Sequence, residues 1–215
     1  FDLAINMIMS ASRFFLEEHS PSFFIFSDTV PKSKDRCRFL YWPRVGWPLD
    51  TALRSTAYLQ YAEFLSEFDY IYACDADMLF VSSVGNEILG DLVATQHPGF
   101  TGENKKPGAF ERRPESKAYV DQTDIQYYAG GFYGGKTSIV LQALSKINKM
   151  MLADLADGIF AIWHDESYWN KYLVDNKPTV ALSPSYCYPE KWNMPYEKKL
   201  LALDKDHTAC RVASS

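Results

Sequence analysis

The chain has 215 residues, 47% hydrophobic and 23% charged, enough to close one sizeable core with at most two lobes. A net charge of −5 with no basic stripe excludes a nucleic-acid footprint, and no apolar run approaches the length of a membrane span. The four cysteines, Cys37, Cys74, Cys187 and Cys210, are scattered without a CxxC pair, so neither a zinc site nor a disulfide framework is expected.

Apolar residues at helical spacing (Ile5, Ile8, Met9, Phe15) predict a helix over Leu3 to Glu18. Ser22 to Asp28 reads as a buried strand, and Arg38 to Trp42 as a second one, stopped by Pro43. A helix is expected over Thr51 to Glu67, with Asp50 as its N-cap. The run from Tyr70 to Phe80 predicts an apolar strand that delivers Asp75 and Asp77 at its carboxyl end. Residues 101–117 are rich in Gly, Pro and charge and read as an exposed loop, with Glu111-Arg112-Arg113 a solvated charge run. Tyr127 to Tyr133 is then strand-like, residues 136–156 helical, and Gly158 to Trp163 a short apolar run. Helix followed by strand, twice over, is an α/β pattern, in which ligand sites lie beyond the carboxyl ends of strands.

The i, i+2 spacing of Asp75 and Asp77 turns both side chains to one face of a strand. At a strand end they can converge on one hard cation that keeps open positions for phosphate oxygens. Such an ion neutralises charge on a departing nucleoside diphosphate. The bland alternative is a pair of solvated loop carboxylates, because the DxD pattern is common. A phosphatase working through an aspartyl-phosphate is a further alternative, but its DxDx[TV] pattern is broken here by Leu79.

An ordered set of motifs resembles glycosyltransferase family 6, the family of the histo-blood-group A and B transferases, the α-1,3-galactosyltransferase, the Forssman synthase and bacterial relatives. The matching pieces begin with Phe26-Ser27-Asp28, Phe68-Asp69-Tyr70, Asp75-Ala76-Asp77-Met78, His97-Pro98-Gly99-Phe100 and Glu111-Arg112-Arg113-Pro114. They continue with Tyr127 to Phe132, Gly134-Gly135, Trp163-His164-Asp165-Glu166-Ser167, Asn170-Lys171-Tyr172 and Leu182-Ser183-Pro184. Gly46-Trp47-Pro48 and the stretch from Tyr186 to Trp192 look closer to the bacterial-type members.

The resemblance implies an α/β nucleotide-sugar transferase fold of the GT-A type, with a mixed, mainly parallel central sheet flanked by helices. It implies one catalytic domain over residues 1–215: a donor and metal half (1–95), an acceptor and catalytic half (96–200) and a mobile tail (201–215). The family's first strand, which helps to cradle the uridine, is expected to be absent. The implied activity is retaining α-1,3 transfer of N-acetylgalactosamine, or galactose, from a UDP-sugar to a galactose-containing glycan acceptor, with Mn²⁺ as cofactor. The chain is expected in the cytoplasm, or in the Golgi lumen if it is a trimmed catalytic domain. The alternative within the same fold is a carbohydrate-binding member that does not turn over.

Carried over position by position, the resemblance makes Asp75 and Asp77 the manganese and diphosphate site. Arg54, Ala129, Gly130, Gly131 and Asp165 become further donor contacts, and Lys205 closes over the diphosphate. His97, Trp163, His164 and Glu166 fall on the acceptor side, with Glu166 the catalytic residue. A retaining transfer must stabilise an oxocarbenium-like centre; a carboxylate opposite the leaving group can do so covalently or electrostatically, and same-face attack aided by the leaving phosphate is a further open route. Other readings stay open at several positions: Glu166 as a solvated helix-end residue, His164 as scaffold, Trp163 as core. The turn signal Pro98-Gly99 predicts that His97 is exposed on a loop. Gly131 leaves room for an N-acetyl group beside the sugar's C2, which favours UDP-N-acetylgalactosamine over UDP-galactose. Alternatively, Gly130-Gly131 permits a tight backbone bend.

Overall fold

The computed structural model describes residues 2–32, 36–102 and 107–204. Helix α1 (Asp2–Phe14) forms where expected and turns Ile8 and Ala11 inward, whereas Met9, read as part of the apolar stripe, is 68% exposed and Phe15 lies past the helix end. It stops short of Glu18 because tertiary bonds overrule local periodicity. Val84 N–H donates to the Phe14 carbonyl, Leu16 N–H donates to the Val84 carbonyl, and Leu16 takes a left-handed φ of 48°. Strands β1 (Phe23–Ser27) and β2 (Cys37–Tyr41) pair in parallel, Phe23 opposite Cys37.

Three consecutive helical pieces replace the single helix expected over Thr51–Glu67. They are α2 (Leu49–Ala52), α3 (Arg54–Gln60) and α4 (Ala62–Leu65). The breaks are slight: ψ drifts to 10° at Leu53 and 20° at Tyr61, toward the bridge region. Asp50 is not the cap. It lies in the first turn of α2, where its carboxylate accepts the Val45 N–H at 2.8 Å.

The expected Tyr70–Phe80 strand is two strands hinged on the aspartates. β3 (Tyr70–Cys74) ends before Asp75, the Met78 N–H closes a turn on the Asp75 carbonyl, and β4 (Met78–Phe80) enters a different sheet. The remaining elements are β5 (Leu92–Gln96), β6 (Tyr128–Lys136), α5 (Thr137–Ala156), α6 (His164–Asp175), β7 (Val180–Leu182), β8 (Tyr188–Pro189) and β9 (Leu200–Ala202).

The main sheet runs β3-β6-β5-β7, and β4, β9 and β8 form a second, three-stranded one. The α/β class with mixed sheets agrees with expectation. Within the main sheet the balance leans antiparallel, because β6 opposes both β3 and β5, and β5–β7 is its one parallel ladder. Alternation along the strands buries both faces. Leu92, Ala94 and Tyr133 join Val140, Leu144, Ile147, Tyr168 and Trp169 of α5 and α6. Val93 and Phe132 point the other way, toward Ala11, Met78, Phe80 and Leu200.

The 101–117 segment departs from the exposed loop read in the sequence: among its described residues Phe110, Glu111 and Ser116 are buried. Phe110 packs with Val120 and Tyr127 in a satellite core. No helix among the described residues is long and apolar enough to cross a membrane.

Candidate active site

The site begins with an irregularity in β6. Pairing with β5 runs from Leu92–Gly135 to Ala94–Tyr133 and then jumps to Thr95–Ala129. Gly130, Gly131 and Phe132 therefore bulge from that ladder, a device that re-aims backbone groups beside functional sites. Two side chains take up the groups of Gly130. Its N–H donates to Glu166 Oε2 at 2.7 Å, and its carbonyl accepts from Arg54 Nη1 at 3.1 Å. At Gly131 the carbonyl accepts the Asp75 N–H at 2.9 Å. A Cβ at Gly130 would sit 3.4 Å from Glu166 Oε2, whereas one at Gly131 would sit 3.5 Å from Asp75 Oδ2 and 3.4 Å from Cys187 Sγ. One glycine thus borders Glu166 and the next borders Asp75.

Arg54, the first residue of α3, ties these groups together. Besides Gly130 it reaches Asp75 Oδ1 through Nη2 at 2.8 Å and Asp165 Oδ2 through Nε at 3.3 Å. Burial works against the guanidinium's charge, but Asp165 and Asp75 outweigh it and raise its pKa well above the ordinary value.

Asp165 and Glu166 lie in the first turn of α6, where the helix dipole favours carboxylates. Burial raises the Asp165 carboxyl, and the charge of Arg54 partly opposes that rise. Glu166 Oε1 accepts from the Tyr127 hydroxyl at 2.8 Å while Oε2 holds Gly130 N–H. Burial pushes Glu166 up to about 7, against these two hydrogen bonds, which favour the ionised form. One turn on, the Asn170 amide donates to the carbonyls of Tyr128 and Glu166, and its oxygen accepts the Tyr128 N–H at 2.8 Å. This side chain substitutes for a strand partner and clamps α6 to β6.

His97 is not the exposed loop residue expected. Its ring is half-buried, its Nδ1 accepts the Gly99 N–H at 3.0 Å, and Phe100 and Tyr127 pack on it at 4.7 and 5.6 Å. Burial pulls its pKa down to about 4. Trp163 displays its ring, 51% exposed, rather than joining the core. His164 takes a left-handed φ of 50°, and its ring packs on Trp47 at 5.3 Å. Ala129 is 2% exposed and pairs with Thr95. Lys205 lies outside the described residues; the last described backbone bond before it joins Leu203 N–H to the Asp77 carbonyl.

No group of three or more His, Cys, Asp or Glu able to hold a metal occurs among the described residues. The turn at Asp75 and Asp77 offers two carboxylates, a hard-oxygen set that suits Mn²⁺ or Mg²⁺ when substrate phosphates complete the shell. Sequence reasoning assigned no role to Tyr127, Asn170, Cys187 or Glu111. Only Asn170, four residues after Glu166 on one helix face, carries a readable signal.

The family model of glycosyltransferase family 6 matches residues 54–212. Histo-blood group ABO system transferase 1 of Rattus norvegicus is 44% identical over 154 residues, covering 69% of this chain and 44% of the relative. The human globoside alpha-1,3-N-acetylgalactosaminyltransferase 1 is 38% identical over 149 residues, 67% of this chain and 43% of the relative. The O-antigen biosynthesis glycosyltransferase WbnI of Escherichia coli is 30% identical over 209 residues, 92% of this chain and 87% of the relative. The matches span less than half the length of the two mammalian relatives. The family match opens at Arg54, spans both sides of the glycine pair and runs past the last described residue, Asp204. By a match of that extent, the chain belongs to glycosyltransferase family 6.

Proposed function

We propose that the protein is a retaining glycosyltransferase that moves N-acetylgalactosamine, or galactose, from a UDP-sugar to a galactose-containing glycan in α-1,3 linkage. The observation that carries this reading is the bordering of Gly130-Gly131 by Glu166 and Asp75, with Arg54 bonded to Asp75, Asp165 and Gly130 at once. A sugar seated over two residues without Cβ atoms has Glu166 at one flank, where a carboxylate can stabilise a cationic anomeric centre, and the diphosphate-side Asp75 at the other.

In this reading Asp75 and Asp77 hold Mn²⁺ together with the donor diphosphate, and Lys205 reaches the same diphosphate. The ion, when bound, neutralises charge on the departing UDP. Arg54 keeps Asp75 and Asp165 aimed and adds a positive charge beside the sugar. Glu166 faces the anomeric carbon from the side away from the diphosphate. Tyr127 and the Gly130 N–H fix both of its oxygens, so it need not reorganise as positive charge develops. The exposed ring of Trp163 offers a flat face to the apolar side of the acceptor sugar, with His97 and His164 beside the acceptor path. Gly131 leaves space beside C2, which makes UDP-N-acetylgalactosamine the preferred donor. Incubation with each UDP-sugar, Mn²⁺ and a galactoside tests this. Transfer from UDP-N-acetylgalactosamine is the expected result; glycan binding without turnover of either donor would contradict it.

A further inference from the structure

Glu111 belongs to a charge run, yet it is 2% exposed. Both of its carboxylate oxygens are fully engaged. Oε1 accepts from Arg113 N–H at 3.0 Å and from Arg113 Nε at 2.9 Å. Oε2 accepts from Arg113 Nη2 at 2.7 Å and from the Ile162 N–H at 2.8 Å. The same Nη2 also donates to the Phe160 carbonyl. Arg113 holds the Glu111 carboxyl down at about 2, so the pair stays charged at any working pH.

This charged pair is therefore committed to two backbone groups of the loop between α5 and α6. That loop ends at Trp163, directly before the turn that carries Asp165 and Glu166. Ala161, 1% exposed, is its one anchor in the main core; Phe160, Ile162 and Trp163 around it are 42%, 54% and 51% exposed. The neighbouring residue reinforces the same point, since Phe110 packs edge-on against Tyr127 at 4.9 Å, and Tyr127 bonds Glu166.

We propose that Glu111, partnered by Arg113, is a positioning residue that holds the Phe160–Trp163 loop and so keeps the acceptor-side wall in register with the carboxylates of α6. The inference rests on the transferase reading above. Glu111→Gln sets an N–H donor against the donors of Ile162 or Arg113, which releases the loop while the two main cores keep their contacts.

Wild type, Glu111→Gln and Arg113→Lys are compared by amide hydrogen exchange, by donor hydrolysis without acceptor, and by transfer. In Glu111→Gln, exchange at Ile162 and its neighbours speeds up about tenfold while protection in β6 and α5 is kept. The acceptor KM rises about tenfold, and donor KM and hydrolysis stay within about twofold. Arg113→Lys, which keeps the charge but loses the fork, falls in between. Unchanged exchange in the loop overturns the proposal, and so does a parallel fall in hydrolysis and transfer. If the wild type neither hydrolyses donor nor transfers, the transferase reading fails, and the exchange measurement alone still decides whether Glu111 holds the loop.

Discussion

Asp165 and Glu166 open a helix that packs against β6 and α5, and burial drives both carboxyls upward, Glu166 to about 7. Asp75 and Asp77 sit instead in a turn after β3, where the Asp75 side chain is 32% exposed against 14% for Asp165. One residue class is thus placed in two environments a single arginine apart. A carboxylate in a dry pocket interacts strongly with positive charge that forms beside it, because little water screens the contact. Carboxylates at a wet turn can exchange ligands with a hydrated cation and with phosphate oxygens. In the proposed reading, the contrast separates the side that stabilises a cationic sugar from the side that receives the leaving diphosphate.

The largest expected effect falls on the wet side. Chelation should reduce transfer to background, and Mn²⁺ should restore it. Asp75→Asn and Asp77→Asn should each cost about 3–4 kcal/mol in transition-state stabilisation. Full activity in chelator would erase the distinction between the two sides.

Glu166→Gln probes the dry side. A glutamine cannot accept from both Tyr127 and Gly130 with the same geometry and carries no charge, so kcat should fall about 10²–10³-fold with donor KM nearly unchanged. A change confined to KM would make Glu166 a binding residue. The raised carboxyl also has a stability signature. Between the usual carboxylate range and about 7 the folded state holds a proton that the unfolded chain has lost, so stability falls as pH rises through that window. The Glu166 contribution is read as the difference between wild type and Glu166→Gln in denaturant titrations. In both proteins His97, pulled down to about 4, adds an opposite slope over part of the same window, and the raised Asp165 adds a similar one.

Tyr127→Phe sharpens the comparison more gently. The Tyr127 hydroxyl is driven upward by burial and by Glu166, stays protonated, and donates to the ionised Glu166. Its loss removes a bond that favours the charged form, so the Glu166 pKa should rise further. The acid limb of kcat/KM should then move up by about one pH unit. An unshifted limb would show that Glu166 does not control it.

The smallest effect is expected at Gly131→Ala. The added methyl meets Cys187 Sγ at 3.4 Å and Asp75 Oδ2 at 3.5 Å, ordinary contacts, so the variant should fold. Donor preference should move toward galactose by about 1–3 kcal/mol in relative kcat/KM. Equal use of both donors by wild type and variant alike would remove Gly131 from the specificity account.

The elements that the sequence makes legible are those with one dominant period. Ile5, Ile8 and Met9 announce α1, Phe23 to Phe26 announce β1, and Tyr70 to Cys74 announce β3. Asp75 and Asp77 are readable because a spacing of two at a strand end has a chemical meaning, whereas Glu166 is reached only through the family's motif. The β6 bulge has no periodic signature; Gly130-Gly131 hints at a bend but not at which side chains take the freed backbone groups. α6 is obscured because its buried face is built from Ser167, Tyr168, Trp169 and Asn170, whose polarity masks a core-facing stripe. Glu111 is hidden for a related reason: a charge run looks solvated, and the Ile162 N–H that holds it lies 51 residues away.

The most direct test of the account is the anomeric configuration of the product, read by proton NMR after reaction of an α-configured UDP-N-acetylgalactosamine with a galactoside in Mn²⁺. Retention through a carboxylate beside Gly130-Gly131 predicts an α-linked N-acetylgalactosamine, lost on Glu166→Gln. A β-linked product, or an α-linked product formed at the full rate by Glu166→Gln, would contradict it.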